Sequence, residues 1–501
     1  MWGIACRQRG KKMLDTLINR PSSYTLFSYW LKKESKVMKK PPARTAFITD
    51  PVECAQILYN KAQPEILEIA EIALMRRVVD NKGRYLHWQD ICDRTRNRDH
   101  ALVQWSLIKT ARDGWKVTLG ESEHLLHTSS SYVLTPYMQK ITSLIDRRCT
   151  SAGLQEIMQG YSLDGTLFKD FIDEESIASS QMEGASTTRV VAKKMLQEGR
   201  PARTEGERMI IGNKRLMDLA WERRFDDMSM EILMAFHSNC CQGIDDEKYT
   251  PGKIRTGDNV YIAGYNNEVV HTPPVAFALP HIVKALIKWL NTPHETLETW
   301  RGYLHPAIKA CIAHFCLGYI HPFNDGNGRV ARALSYWLLF RCGYEAFRYI
   351  SISKLLQKAP IKYGKAYLKT ETDEMDLTYF ISYQCSIFER AIQETLEYVR
   401  VSALKIREFD TWLFDHGIMA KLPPVQAILL KSIICFPEKT YTIKEFSEKA
   451  GISPTSARQH LERMVKAGVM GKTGGSGTTP AHYASKLSID KLKNVVPALF
   501  E

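Results

Sequence analysis

The sequence has no run of about 18 apolar residues, so nothing in it reads as a helix that crosses a membrane. Its basic N-terminus lacks the apolar stretch and the small-residue cleavage site of a secretory signal. Eleven cysteines in 501 residues, with no Cys-x-x-Cys pair, supply neither a disulfide framework nor the paired thiols of a zinc or redox site. The expectation is therefore a soluble chain with reduced thiols, a cytoplasmic location and no membrane partner. Hydrophobic residues at 44% and charged residues at 25% sit near globular averages, which speaks against disorder as the overall class.

Acidic residues are scarce at one end. The net charge of +13 is concentrated in residues 1–45, where eleven Lys and Arg face only Asp15 and Glu34. Such an arm can bind phosphate backbones, but a solvated tail is the plainer reading, with Met38 a second candidate start.

The length implies two to four domains. A disordered basic tail is expected over residues 1–50 and a helical module over 51–160, with helices at Glu65–Val79 and, around a polar turn, within 84–115. A core domain is expected over 161–400 and a further domain over 401–501. Within the core, residues 207–243 and 279–291 read as helices. Short β-prone runs around an Asn-containing turn, from Asn259 to His271, read as a hairpin before Pro273 and Pro274. Residues 306–320 and 330–340 are apolar on nearly every face and belong at the centre of a domain. The fold class expected is mainly α with one hairpin.

Between those two central helices lies His321-Pro322-Phe323-Asn324-Asp325-Gly326-Asn327-Gly328-Arg329-Val330-Ala331-Arg332. Gly326 and Gly328 let backbone amides approach an anion, and the helix that follows aims its positive dipole end at the same place. Arg329 and Arg332, three residues apart on one helical face, offer two guanidinium forks to a polyphosphate. Asp325 is the candidate Mg²⁺ ligand, since hard cations on nucleotide phosphates take one or two protein carboxylates. His321 can accept a proton from a hydroxyl. His305 and His314 read as structural residues, against a conceivable metal cluster of these two with His321.

This segment resembles the signature of the Fic (Fido) family, His-Pro-Phe-x-Asp/Glu-Gly-Asn-Gly-Arg-x-x-Arg, at all nine specified positions. The resemblance implies a protein adenylyltransferase that moves AMP from ATP to a Ser, Thr or Tyr hydroxyl of a target protein, the chain itself included. It makes His321 the base, Asp325 the Mg²⁺ ligand and Gly326 to Gly328 the oxyanion cradle with Asn327. Arg329 and Arg332 would take the β- and γ-phosphates, and Phe323 would be a buried anchor. Ser179-Ser180-Gln181-Met182-Glu183-Gly184 is similar to the inhibitory helix motif of the class restrained from the N-terminal side, with the helix expected near 176–184. A bidentate Glu183–Arg332 pair is expected, Ser179 sharing the face of Glu183; the alternative is a helix-terminal glutamate with Gly184 as C-cap. In some relatives this glutamate also assists removal of AMP.

By the same resemblance the hairpin, with Val260, Tyr261 and Ile262, is the flap that holds a target segment as an added strand; a plain surface hairpin is the alternative. Tyr363 and Tyr367 wall the adenine or are core residues. Helices over 422–436, 443–450 and 454–467, with a glycine-rich segment from Val469 to Ser485, resemble a winged helix-turn-helix. It could dock DNA through Thr455, Ser456, Arg458, Gln459 and Lys472, or dock a protein. A homodimer is compatible with the sequence. The rivals are a relative that transfers another phosphate-containing group, and a DNA-binding regulator whose Fic core senses nucleotide.

Overall fold

The computed structural model describes residues 77–95, 97–119, 130–160, 172–244, 249–264, 268–294, 303–437, 439–475 and 480–500. The tail expected over 1–50 and most of the helix expected at Glu65–Val79 lie outside these residues. Arg77 to Val79, its described end, is not helical.

Two helices do occur within 84–115, Trp88–Cys92 and α1 (Arg98–Asp113). Each is started by a side chain that accepts from the first turn, His87 and Asn97. The module is not wholly helical, however: β1 (Lys116–Leu119) and β2 (Ser130–Val133) form an antiparallel hairpin. Ser131 of β2 then bonds the backbone of Met375 and Leu377. Each strand is only four residues long, too short for alternation to be seen in sequence.

Helices α2 (Pro136–Arg148), α3 (Ile172–Met182), α4 (Glu205–Glu222) and α5 (Met230–Cys241) follow. The expected hairpin is present as β3 (Ile262–Ala263) and β4 (Val269–His271), an antiparallel pair with an irregular register. Then come α6 (Leu279–Asn291), α7 (Pro306–Ile320), α8 (Asn327–Arg341), α9 (Pro360–Thr372) and the 38-residue α10 (Thr378–Asp415).

The antiparallel pair α7 and α8 forms the centre. One side of it packs against α3, α4 and α5, the other against α2, α6 and α10. That is why both helices are apolar all round: Phe315, Leu317 and Ile320 on α7, and Val330, Leu334 and Trp337 on α8, are fully buried. Each such side chain contributes about 1.5–3 kcal/mol by leaving water. Gly212 lets α4 lie against the Cys240 carbonyl of α5, where a Cβ would come within 2.7 Å of that oxygen.

α10 leaves this core through Phe380, Ile387 and Ile392 and enters a second apolar cluster through Ile406, Phe409 and Leu413. That cluster is completed by α11 (Pro424–Cys435), β5 (Thr440–Tyr441), α12 (Ile443–Ala450), α13 (Pro454–Lys466) and β7 (His482–Ala484), while β6 (Gly471–Thr473) is exposed along its length. The three strands form one antiparallel sheet in the order β5-β7-β6.

Four buried imidazoles are held neutral. Burial lowers His87, His237 and His321 to about 4 and His314 to about 3, with nearby cations adding to the effect in each. The unfolded chain takes up these protons as pH falls through about 6.5, while the folded chain does not until about 4. Over that window the unfolded state binds more protons, so stability falls as pH falls. Each group contributes up to about 1.4 kcal/mol per pH unit. Thermal unfolding is expected to show a Tm several degrees lower at pH 5 than at pH 7; an unchanged Tm would mean that these imidazoles are not held neutral.

Candidate active site

His321 ends α7 in the left-handed region, at φ 51° and ψ 58°. A non-glycine residue there is strained and must be held by its surroundings. Arg255 does so: its Nε donates to the His321 carbonyl at 3.0 Å, and its backbone N–H donates to the Pro322 carbonyl at 2.9 Å. The turn is bracketed from within by Asn327, whose Oδ1 accepts from the Phe323 N–H at 2.9 Å while its Nδ2 donates to the Phe323 carbonyl at 2.8 Å. His237 of α5 braces it from below. Its ring stacks on Phe323 at 3.8 Å between centroids, and its Nε2 lies 3.0 Å from the Asp325 carbonyl. Its Nδ1 accepts from the Gly252 N–H, so the proton sits on Nε2 and donates to Asp325. Gly326 starts α8 at φ 82°, with Cys240 and Cys241 packed where a side chain would go.

The His321 ring is oriented by α7 itself. Nδ1 lies 3.2 Å from the Gly318 carbonyl, which can only accept, so Nδ1 carries the proton. Nε2 then presents a lone pair; it is buried and has no hydrogen-bond partner among the described residues. Burial drives this imidazole down to about 4, the Gly318 bond opposing the shift, so the ring is neutral near pH 7. A neutral imidazole with an open Nε2 can receive a proton.

One cavity brings together His321, Asp325, Asn327, Gly328, Arg332, Glu183 and Tyr363, with Ile262 at its flap side. Glu183 lies at the end of α3 and places Oε1 2.8 Å from Arg332 Nη2. The same guanidinium donates through Nε to Ser179 Oγ at 2.9 Å and through Nη2 to the Ser179 carbonyl at 3.1 Å. The expected bidentate carboxylate clamp is thus a single carboxylate contact completed by Ser179. Gly328, in the first turn of α8, is a glycine for a visible reason: a Cβ there would fall 2.2 Å from Glu183 Oε1. The carboxylate therefore occupies the positive end of α8, where the dipole and unpaired N–H groups favour an anion. Gly184 follows at φ 98° and turns the chain away.

α3 is firmly seated. Glu175 accepts from the Ser353 N–H at 3.0 Å and from Ser351 Oγ at 2.8 Å. Ser180 Oγ donates to the Ser176 and Met209 carbonyls, and Asn213 Nδ2 donates to Ser176. Asp325 lines the cavity and caps its own turn, Oδ1 accepting from the Gly326 N–H.

Arg329 departs from the sequence expectation. It is fully buried but does not line the cavity: Nη1 donates to the Cys240 carbonyl at 2.8 Å, and the guanidinium lies 5.6 Å from the Tyr249 ring. Three helical positions separate it from Arg332, and the two long side chains diverge to opposite walls, one towards α5 and one towards α3. Asn327 also differs, since both ends of its amide are committed to Phe323 and only its backbone faces an anion site. Tyr363 lines the cavity, and its hydroxyl lies 2.7 Å from His314 Nε2. Tyr367 stacks on Phe315 in the core and reaches the cavity edge. Val260 is buried, and Ile262 alone of the three flap residues lines the cavity.

His305 and His314 are not brought to His321. His305 caps α7 and lies 3.0 Å from Asp146. In the C-terminal cluster Thr455, Arg458 and Gln459 are exposed on α13, and Lys472, also exposed, is ion-paired with Glu462. His237, Arg255, His271 and Glu371 escaped the sequence reading. Only Arg255, in a Gly-Lys-Ile-Arg-Thr-Gly turn leading into the hairpin, carried a local cue.

Residues 227–339 match the model of the Fic/DOC family. The protein adenylyltransferase Fic of Drosophila yakuba and that of Drosophila melanogaster are each 29% identical over 183 residues, which cover 35% of this chain and 33% of the relative. The chain thus matches about a third of the length of these curated relatives. A solved Fic family protein from Desulfovibrio desulfuricans G20 is similar at 19% identity and a TM-score of 0.44, over 71% of this chain and 98% of that one. The family match contains α5, the flap, α6, α7 and nearly all of α8, and with them the turn from His321 to Arg332. Residues 227–339 of this chain are a Fic/DOC-family domain.

Proposed function

We propose that the chain transfers the AMP group of ATP to a hydroxyl of a protein and that Glu183 restrains the transfer. The observation that carries this reading is the open, buried Nε2 of His321 in the same cavity as a helix N-terminus filled by a carboxylate. The target hydroxyl gives its proton to Nε2. Its oxygen bonds the α-phosphorus, the bond to the bridging oxygen breaks, and pyrophosphate leaves. The anion cradle is the first turn of α8 with Arg332, and the flap supplies an edge for an extended target segment.

Asp325 suits magnesium: it is a hard oxygen donor beside the cradle, and no set of three His, Cys, Asp or Glu side chains that could hold a metal occurs among the described residues. The ion would share one protein carboxylate with the phosphates. When bound, it would offset phosphate charge.

Arg332 is buried against Glu183, and losing that partner leaves a cation facing the cavity. Glu183→Gly is therefore expected to raise label transfer from α-labelled ATP to protein, self-modification included. His321→Ala in that background is expected to lower it by about 10²–10⁴-fold, the usual contribution of general-base catalysis, with nucleotide binding retained. Equal labelling with and without the imidazole would refute the assignment. An unchanged rate in Glu183→Gly with intact ATP binding would refute the restraint.

A second reading rests on the exposed Thr455, Arg458 and Gln459 in the first half of α13, the position from which a recognition helix reads a groove. Titration with random duplex DNA at two salt concentrations checks it. Phosphate-driven binding must weaken steeply with salt, and no binding at low salt leaves the module a protein-docking element.

A further inference from the structure

His271 closes β4 and is buried, with groups that accept hydrogen bonds at both ring nitrogens. Nδ1 lies 2.9 Å from Glu371 Oε2 of α9, and Nε2 lies 2.9 Å from the Tyr319 carbonyl of α7. A neutral imidazole has one N–H and one lone pair, so in either tautomer one contact would set a lone pair against an acceptor. Both contacts are satisfied only if the pair holds an additional proton.

From this geometry we infer that His271 is an imidazolium that latches the flap to the cavity wall, and that the flap loosens when the proton is lost. Glu371 draws the proton as a carboxylate. Tyr319 belongs to the last turn of α7, where carbonyls lack helical partners and the dipole favours a cation. Among the described residues, the other titratable groups facing the pair are the Tyr319 ring, 4.8 Å from the imidazole, and His321, whose low proton affinity owes part of its shift to His271. His271, Glu371, Tyr319 and His321 all line the cavity, so the latch joins the flap to the helix end that orients the base. His271 and His321 cap successive carbonyls of α7, Tyr319 and Gly318. His271 is a positioning residue. Its bearing on activity rests on the proposed function, in which the flap holds the target strand.

Glu371→Gln gives a sharp test. The amide can donate to Nδ1, leaving Nε2–H to donate to Tyr319, so a neutral His271 then satisfies both contacts. Hydrogen exchange across residues 260–272 of the full chain, without nucleotide or target and corrected for intrinsic rates, is expected to show about tenfold loss of protection in wild type as pH rises from 6 to 9. Glu371→Gln is expected to keep its protection over the same range. Coincident pH profiles for the two proteins would overturn the latch. Imidazole ¹⁵N spectra, with His271 assigned by His271→Gln, are expected to show both nitrogens protonated at pH 6; a single-tautomer signature there would also overturn it. The flap is read without catalysis, so an inactive chain with a pH-dependent flap would count against the proposed function alone.

Discussion

The bracketed turn between α7 and α8 is the constraint on which the rest depends. It must reverse the chain between two fully buried helices while leaving one imidazole and one helix N-terminus facing the same space. α7 fixes His321 through the Gly318 carbonyl, Arg255 holds its left-handed backbone, Asn327 closes the turn on Phe323, and His237 stacks beneath. Arg255, Asn327 and His237 are buried, so each of their hydrogen bonds is costly to leave unmade and the geometry is rigid. Rigidity of this kind lets a single imidazole act without reorganising.

The cavity is built from a few long elements, each of which also has a structural task. α9 presents Tyr363, Tyr367 and Glu371 at intervals of four, a continuous wall that runs from the Arg332 end to the flap end. Tyr363 bonds His314 inside α7, and Glu371 meets His271 on the flap. The end of α9 is in turn held by the N-terminal module, through Lys369 to Asp90 at 2.7 Å and Lys109 to Asp373 at 2.8 Å. The Lys109–Asp373 pair is buried, so loss of either partner would strand a charge and cost about 3–5 kcal/mol. The module is therefore part of the scaffold of the cavity wall.

Much of this was legible in the sequence, for physical reasons. Apolar residues all round α7 and α8 mark central helices, and glycines beside arginines at a helix start mark an anion cradle, because both patterns are local. The fates of Arg329 and Asn327 were not legible. A guanidinium three positions from another looks like its partner until the neighbouring helices are placed, and only then does the Cys240 carbonyl claim it. His237 and His271 were invisible for the same reason: each is defined by a contact more than 40 residues away in sequence. The β1–β2 hairpin was missed because its strands are too short to show a period.

The proposed restraint is the size of a side chain. α3 is tied by Glu175 to Ser353 and by Ser180 and Asn213 to its neighbours, and the helix Arg189–Glu198 grips Glu174 through Arg189 at 2.7 Å. Withdrawing the whole helix would break all of these contacts together, at a cost of several kcal/mol. Rotating Glu183 breaks one contact to Arg332 while Ser179 keeps two others on that guanidinium. An entering phosphate would replace the carboxylate with an anion of greater charge at the same helix end. Under the proposed function, the balance between blocked and open states is set by one carboxylate against one polyphosphate, with α3 as its fixed hinge.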